Sequence, residues 1–173
     1  MASAFIGVPA VAAQQAEIEV AFTPGDDIAA LLVKRIGEAK ETVQVQAYLF
    51  TDRRIANALV AARKRGLEVE FIGDAKQNQT GGLMHLKALR RAGVNVYLNA
   101  GFASSHNKVL ILDGATENAA VVTGSYNFTH AAQSRNAENV VVISGNHLVT
   151  DRFVANFEKH RSQSTPWPST THR

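Results

Sequence analysis

Residues 106–113 read His106-Asn107-Lys108-Val109-Leu110-Ile111-Leu112-Asp113, and residues 119–127 read Ala119-Ala120-Val121-Val122-Thr123-Gly124-Ser125-Tyr126-Asn127. Between them lie Gly114, Ala115, Thr116, Glu117 and Asn118, the composition of a hairpin turn. The pattern predicts a strand over 106–112, a turn, and a second strand over 119–123. In a strand, residues two apart share a face. His106 and Lys108 are therefore neighbours, while Asp113 has the opposite parity to both. Gly124 allows close backbone approach, and Ser125 and Asn127 offer short polar side chains where the second arm ends. Such a hairpin, with His and Lys on one arm and Ser and Asn at the end of the other, makes a compact anion site.

The surrounding chain alternates strand and helix patterns. Upstream, strands are expected at 17–22, 42–50, 67–72 and 94–98, with helices between them at about 28–39, 52–66 and 83–92. Downstream come a strand at 138–143 and a closing helix at about 148–160. The expected fold class is α/β, a mixed sheet between helical layers, forming one domain over 17–161. Residues 162–173 are rich in Ser, Thr and Pro and read as a flexible tail. Residues 1–16 read as a flexible segment or a residual export signal. Their apolar run Ala4–Ala13 is too short to span a bilayer and ends in the Ala-x-Ala pattern Ala10-Val11-Ala12, although Met1-Ala2-Ser3 carries no positive charge. This reading expects a periplasmic or secreted protein, with the cytoplasm as the alternative.

Composition narrows the chemistry. The chain has 173 residues, 46% hydrophobic and 19% charged, which excludes a disordered or collagen-like polymer. With no cysteine it has no disulfide scaffold, thiolate metal site or cysteine nucleophile. A net charge of +3 permits a polyanionic partner. The six histidines show no zinc-ligand spacing, and no metal or other cofactor is expected.

The groups on the hairpin suit phosphoryl transfer. Lys108 can neutralise a non-bridging phosphate oxygen, and Asn127 and Ser125 can donate hydrogen bonds to it. Neutral His106 can attack phosphorus as a covalent nucleophile. His106-x-Lys108, Asp113 and Gly124-Ser125-x-Asn127 together resemble the signature of the phospholipase D superfamily. Residues 47–51 (AYLFT), 58–66 (ALVAARKRG) and 127–129 (NFT) are similar to segments of its small, single-motif Nuc-type bacterial endonucleases. The resemblance covers roughly residues 17–159.

That resemblance implies a metal-independent, sequence-tolerant endonuclease acting through a phosphohistidine. It makes His106 the nucleophile, Lys108 and Asn127 the phosphate holders and Ser125 an assisting contact. Glu138 would accept a hydrogen bond from the second ring nitrogen of His106. Asp113 and Gly124 would be structural. Because the chain has one motif, the resemblance also implies a homodimer in which one His106 attacks and the other protonates the leaving oxygen. DNA, with RNA beside it, is the expected partner, without stable membrane insertion. Arg53, Arg54 and Lys76 are the candidate nucleic-acid contacts. The alternatives are a phospholipid phosphodiesterase and a non-catalytic nucleic-acid-binding domain. The ten-residue segment between Asp113 and Gly124 is longer than the family pattern by an even number of residues. Pleat parity is thereby kept, but substrate access could change. His130 is expected as a plain helix-surface residue.

Overall fold

The computed structural model describes residues 16–167. In chain order the elements are β1 (Glu17–Thr23), α1 (Ile28–Glu38), β2 (Thr42–Ala47), α2 (Arg53–Lys64), β3 (Glu68–Asp74), α3 (Ala75–Thr80), α4 (Leu83–Arg91), β4 (Asn95–Asn99), β5 (Lys108–Leu112), β6 (Ala120–Gly124), α5 (His130–Ser134), β7 (Glu138–Ser144), α6 (His147–Ser162) and β8 (Thr165–Pro166). The strands form one mixed sheet in the order β1-β7-β6-β5-β2-β3-β4-β8. β2, β3 and β4 run parallel, each preceded by a helical crossover, and the remaining pairings are antiparallel.

The alternation seen in the sequence sorts the two faces. Val43, Val45 and Ala47 of β2 and Leu110 and Leu112 of β5 pack with Ile28, Leu32 and Ile36 of α1 and Ile55 and Leu59 of α2. The residues between them face the other way, where Ile72, Val109, Ile111 and Val121 lie under Phe157 of α6. Turn chemistry sets the helix ends. The Asp27 side chain accepts from Ala30 N–H, Asp52 accepts from the N–H groups of Arg54 and Ile55, and Gly66 at φ +99° stops α2.

Three features depart from the sequence reading. β5 begins at Lys108, so His106 sits in the preceding loop rather than in the strand. Residues 75–80 form α3, capped by Asp74, where only a polar stretch was apparent. The expected flexible tail fails at its start. Helix α6 runs through Ser162, Thr165–Pro166 pairs with β4, the Trp167 N–H donates to Val96 O at 2.8 Å, and its ring packs on the main core. The edge of β4 has free backbone groups and Trp167 has apolar area to bury, and together they outweigh the loop-like composition. The rest of that tail, and the expected export signal up to residue 15, lie outside the described residues.

One edge of this sheet gathers chain ends. β1, β2, β3, β4 and β6 finish there, and β5 and β7 start there. The opposite edge holds the β5–β6 turn.

Candidate active site

Lys108 is the first residue of β5 and pairs with Ala47, the last of β2. The loop before it is pinned on both sides of His106. Ser105 N–H donates to the Asp74 carboxylate at 2.9 Å, and Tyr48 N–H donates to Asn107 O at 2.9 Å. His106 is exposed and rests on the Tyr48 ring, with centroids 4.4 Å apart. Lys108, only 7% exposed, folds back over it. Its Nζ donates to His106 O at 2.8 Å and lies 3.0 Å from Nδ1 and 3.1 Å from Nε2 of the same ring. Such near-equal distances place the ammonium against the imidazole as a whole. Nζ is also 5.0 Å from the Tyr48 ring centroid. No carboxylate is within ion-pair distance of it among the described residues. Burial pulls the Lys108 ammonium below the ordinary lysine value, and the field of Glu138 works against that shift.

The second arm arrives alongside. A Cβ on Gly124 would stand 2.2 Å from Asn139 O and 2.9 Å from Val140 Cα, so β6 and β7 can close here only without one. Ser125 follows, exposed, its Oγ donating to a Glu138 carboxylate oxygen at 2.5 Å and accepting from Asn139 N–H at 3.1 Å. Asn136 Nδ2 donates to the other Glu138 oxygen at 2.9 Å. The expected His106–Glu138 hydrogen bond is not formed among the described residues, where the Glu138 carboxylate accepts from Ser125 and Asn136 instead. Asn127 is partly buried, and its Oδ1 has no hydrogen-bond partner. Among the described residues, the Asn127 Oδ1 acceptor and the Lys108 ammonium are thus two polar groups left incompletely satisfied.

Asp113 lies elsewhere. It is five residue steps along the strand from Lys108, roughly 17 Å. It sits at φ +50° with its carboxylate accepting from the N–H groups of Lys40, Glu41 and Thr42 at 2.7–3.1 Å. It clamps the α1–β2 turn. The long hairpin turn is at this far edge too, with Gly114 against Val154 of α6. The expected influence on substrate access is therefore corrected.

The basic candidates divide. Arg54 is held by Asp27, at 3.0 and 3.1 Å, and by Asp52 at 3.7 Å, so its first role is to tie α2 to the start of α1. Arg53 is exposed and, with Thr51 and His130, borders an open cavity of about 530 Å³. Lys76 is exposed on α3. His130 opens α5 on the surface, its Nδ1 3.2 Å from Ser134 Oγ.

Two positioning residues escaped the sequence reading. Asn78 is fully buried; its Oδ1 accepts from Phe50 N–H at 3.0 Å and its Nδ2 donates to Tyr48 O at 2.8 Å and Asp74 O at 2.9 Å. It locks the segment that carries Tyr48 to the end of β3. Gly73 and Gly82 make room for it, since a Cβ on either would approach the Asn78 side chain to 2.9 and 2.8 Å. That pair of glycines around a polar residue was the available signal. Asp74, the second, holds both α3 and the His106 loop. No group of three His, Cys, Asp or Glu side chains is arranged to hold a metal ion among the described residues.

Comparison with known proteins supplies the class. Residues 32–161 match the model of the family described as "Cardiolipin synthase, PLD-like domain", so the chain belongs to the phospholipase D-like family. Within it, the chain is of the single-motif Nuc type. The crystal structure of Nuc from Salmonella typhimurium superposes with a TM-score of 0.84 at 30% identity, covering 90% of this chain and 100% of Nuc. NucT from Helicobacter pylori shares the fold, with a TM-score of 0.78 at 22% identity over 88% of this chain and 100% of NucT. A Rickettsia conorii protein named phospholipase D is 35% identical over 134 residues, 78% of this chain. The chain spans 64% of that relative's length.

Proposed function

We propose that this protein is a sequence-tolerant endonuclease that hydrolyses phosphodiesters through a phosphohistidine at His106, needing no metal, in a site shared by two chains. The observation that carries this reading is Lys108. A lysine that is 7% exposed, whose ammonium meets a ring, a carbonyl and an aromatic face but no carboxylate at ion-pair distance among the described residues, is poorly compensated. A phosphate anion placed against His106 would compensate it. Asn127 and Ser125 stand on the opposite arm to hold the remaining oxygens.

In the first step a ring nitrogen of His106 gives its lone pair to phosphorus, and the bond from phosphorus to the leaving oxygen breaks. The leaving oxygen takes a proton from the partner's His106. Water then attacks phosphorus, returns a proton to the partner's His106, and the N–P bond breaks. Lys108 neutralises charge on the non-bridging oxygens throughout. Glu138 supports Lys108 by its field and orients Ser125.

A surface suited to a second copy adjoins the site. Helix α6 packs on β4, β5 and β6, while the same face of β1 stays open. Ile18, Val20 and Phe22 of β1 are more than half exposed there, beside Val141 and Ile143. Leu148 on α6 is 75% exposed. A two-fold axis would let each helix cover the other chain's bare strand, the self-complementary arrangement of an isologous dimer. The curated relatives named phospholipase D and cardiolipin hydrolase favour the lipid alternative, whereas the structural likeness to Nuc favours nucleic acid.

Cleavage of plasmid DNA, RNA and phospholipid vesicles in excess EDTA separates these substrates, with nucleic acid cleaved and chelator without effect as the expected result. Loss of cleavage on chelation, restored by Mg²⁺, would refute the metal-free mechanism. Subunit mixing tests the shared site. Wild-type and His106→Asn chains co-refolded in equal amounts should lose about half the activity per wild-type chain, since random pairing puts half of them in one-histidine heterodimers. Unchanged activity per wild-type chain, with exchange verified, would rule the shared site out.

A further inference from the structure

The segment between β4 and His106 carries a feature that phosphoryl transfer does not use. Phe102 is 48% exposed, and its ring stacks on His160 of α6 with centroids 5.3 Å apart and an interplanar angle of 25°. One face of Phe102 is thus covered by a second ring, while half of the side chain remains open to solvent. Its neighbours in sequence, Gly101, Ala103 and Ser104, are small. Phe102 is only four residue steps from His106, a chain reach of at most about 14 Å.

The stack is braced on both sides. Gly101 N–H donates to Asn99 Oδ1 at 3.1 Å, and buried Asn99 donates through Nδ2 to Ser164 Oγ at 3.1 Å. Ser164 Oγ in turn donates to His160 O at 2.7 Å, and Ser105 at the far end of the loop is tied to Asp74. Burial and the neighbouring Lys159 hold the His160 imidazole below the ordinary histidine value, which favours the neutral ring. Lys159 itself is exposed in the last turn of α6. The result is a preorganised aromatic surface, a cation next to it, and the candidate nucleophile at the end of the same loop.

We propose that Phe102, backed by His160, is a stacking platform for an unpaired nucleobase next to the scissile phosphate, so that the preferred substrate is single-stranded or locally opened nucleic acid. This rests on the nuclease reading above. Every base has a π-face, so stacking is tolerant of sequence, as an unspecific nuclease requires. A base inside a duplex already has both faces covered by its neighbours and must leave the stack to use such a platform. A membrane-inserting loop would instead present several adjacent apolar residues, whereas Phe102 is flanked by Gly, Ala and Ser.

The test is steady-state cleavage by the full chain of three oligomers of equal length: single-stranded oligothymidine, its duplex with oligodeoxyadenosine, and a strand made wholly of abasic residues. Wild-type protein should cleave the thymidine strand with the lowest KM. Phe102→Ala and Phe102→Leu should raise that KM about tenfold, with kcat little changed, and leave the abasic strand unaffected. Phe102→Tyr, which keeps an aromatic face, should behave as wild type. The platform is overturned if Phe102→Ala leaves the thymidine KM unchanged, or if it impairs the abasic strand equally, which would mark a role in shaping the loop. It is overturned in favour of membrane contact if Phe102→Ala weakens binding to phospholipid vesicles alone. Wild-type protein that cleaves none of the three strands would refute the nuclease reading itself.

Discussion

Strand β5 begins at one buried charge and leads into another, and the two are treated in opposite ways. Asp113, 2% exposed at the far edge, has its carboxylate filled by three backbone N–H donors. Lys108, 7% exposed at the site edge, has no carboxylate at ion-pair distance among the described residues. Burial is nearly the same at both ends, and what differs is satisfaction. A buried charge supplied with all its partners holds the fold together. One left short of a counter-ion is a place where the fold tolerates a local penalty for the sake of a ligand. The cavities do not make this distinction: the far edge has an open depression of about 480 Å³ between Arg35, Lys40, Asp113 and Glu117, comparable to the one near Arg53.

The contrast can be broken most decisively at the site edge. His106→Asn should reduce phosphodiester cleavage at least about a thousandfold, because the covalent step is lost, with thermal unfolding unchanged since the side chain is exposed. Appreciable residual turnover would remove His106 from the nucleophile's role.

Asp113→Ala should do the reverse. It leaves three N–H groups of the α1–β2 turn without their acceptor, which should destabilise the fold by roughly 3 kcal/mol and lower the melting temperature by about 6–12 °C. Activity per folded molecule, measured well below the transition, should be retained. A variant that melts normally but fails to cleave would bring Asp113 back into the chemistry.

The finest test is Lys108→Met, which should abolish cleavage yet stabilise the fold by roughly 1 kcal/mol in urea titration, because it removes an uncompensated charge. Its pH dependence carries a sign. Burial lowers the folded-state value of Lys108, so between that value and the unfolded one, about 10.4, the unfolded chain holds the extra proton. Wild-type stability relative to Lys108→Met should therefore rise with pH across that window and level off above it. A variant less stable than wild type at neutral pH would mean that Lys108 is a satisfied structural cation, and the contrast between the two ends would collapse.

Much of this was legible in residues 106–127. The β-branched runs, the Asp-Gly turn and the parity of Asp113 all depend on near neighbours in the chain, and period-two alternation is a local property. The helix caps Asp27 and Asp52 and the stop at Gly66 were legible for the same reason. Less legible was anything that depends on which distant segment arrives. Arg54 reads as a free cation until Asp27 is brought beside it. Glu138 reads as a partner for His106 until its carboxylate is seen to accept from Ser125 and Asn136. Asn78 reads as part of a polar loop until the ends of β2 and β3 surround it.

The sequence by itself determined the alternation of elements, the mixed sheet, and the set of phosphate-competent groups on one hairpin, because hydrophobic periodicity and turn chemistry act over a few residues. Tertiary structure alone decided that Lys108 is buried without a counter-ion, that the long turn lies away from the site, that the chain beyond Ser162 closes the β4 edge, and that Phe102 meets His160. Each of those depends on pairing or packing between segments far apart in the chain. Such contacts are set by how the whole sheet and its helices bury their surfaces, and no local pattern specifies them.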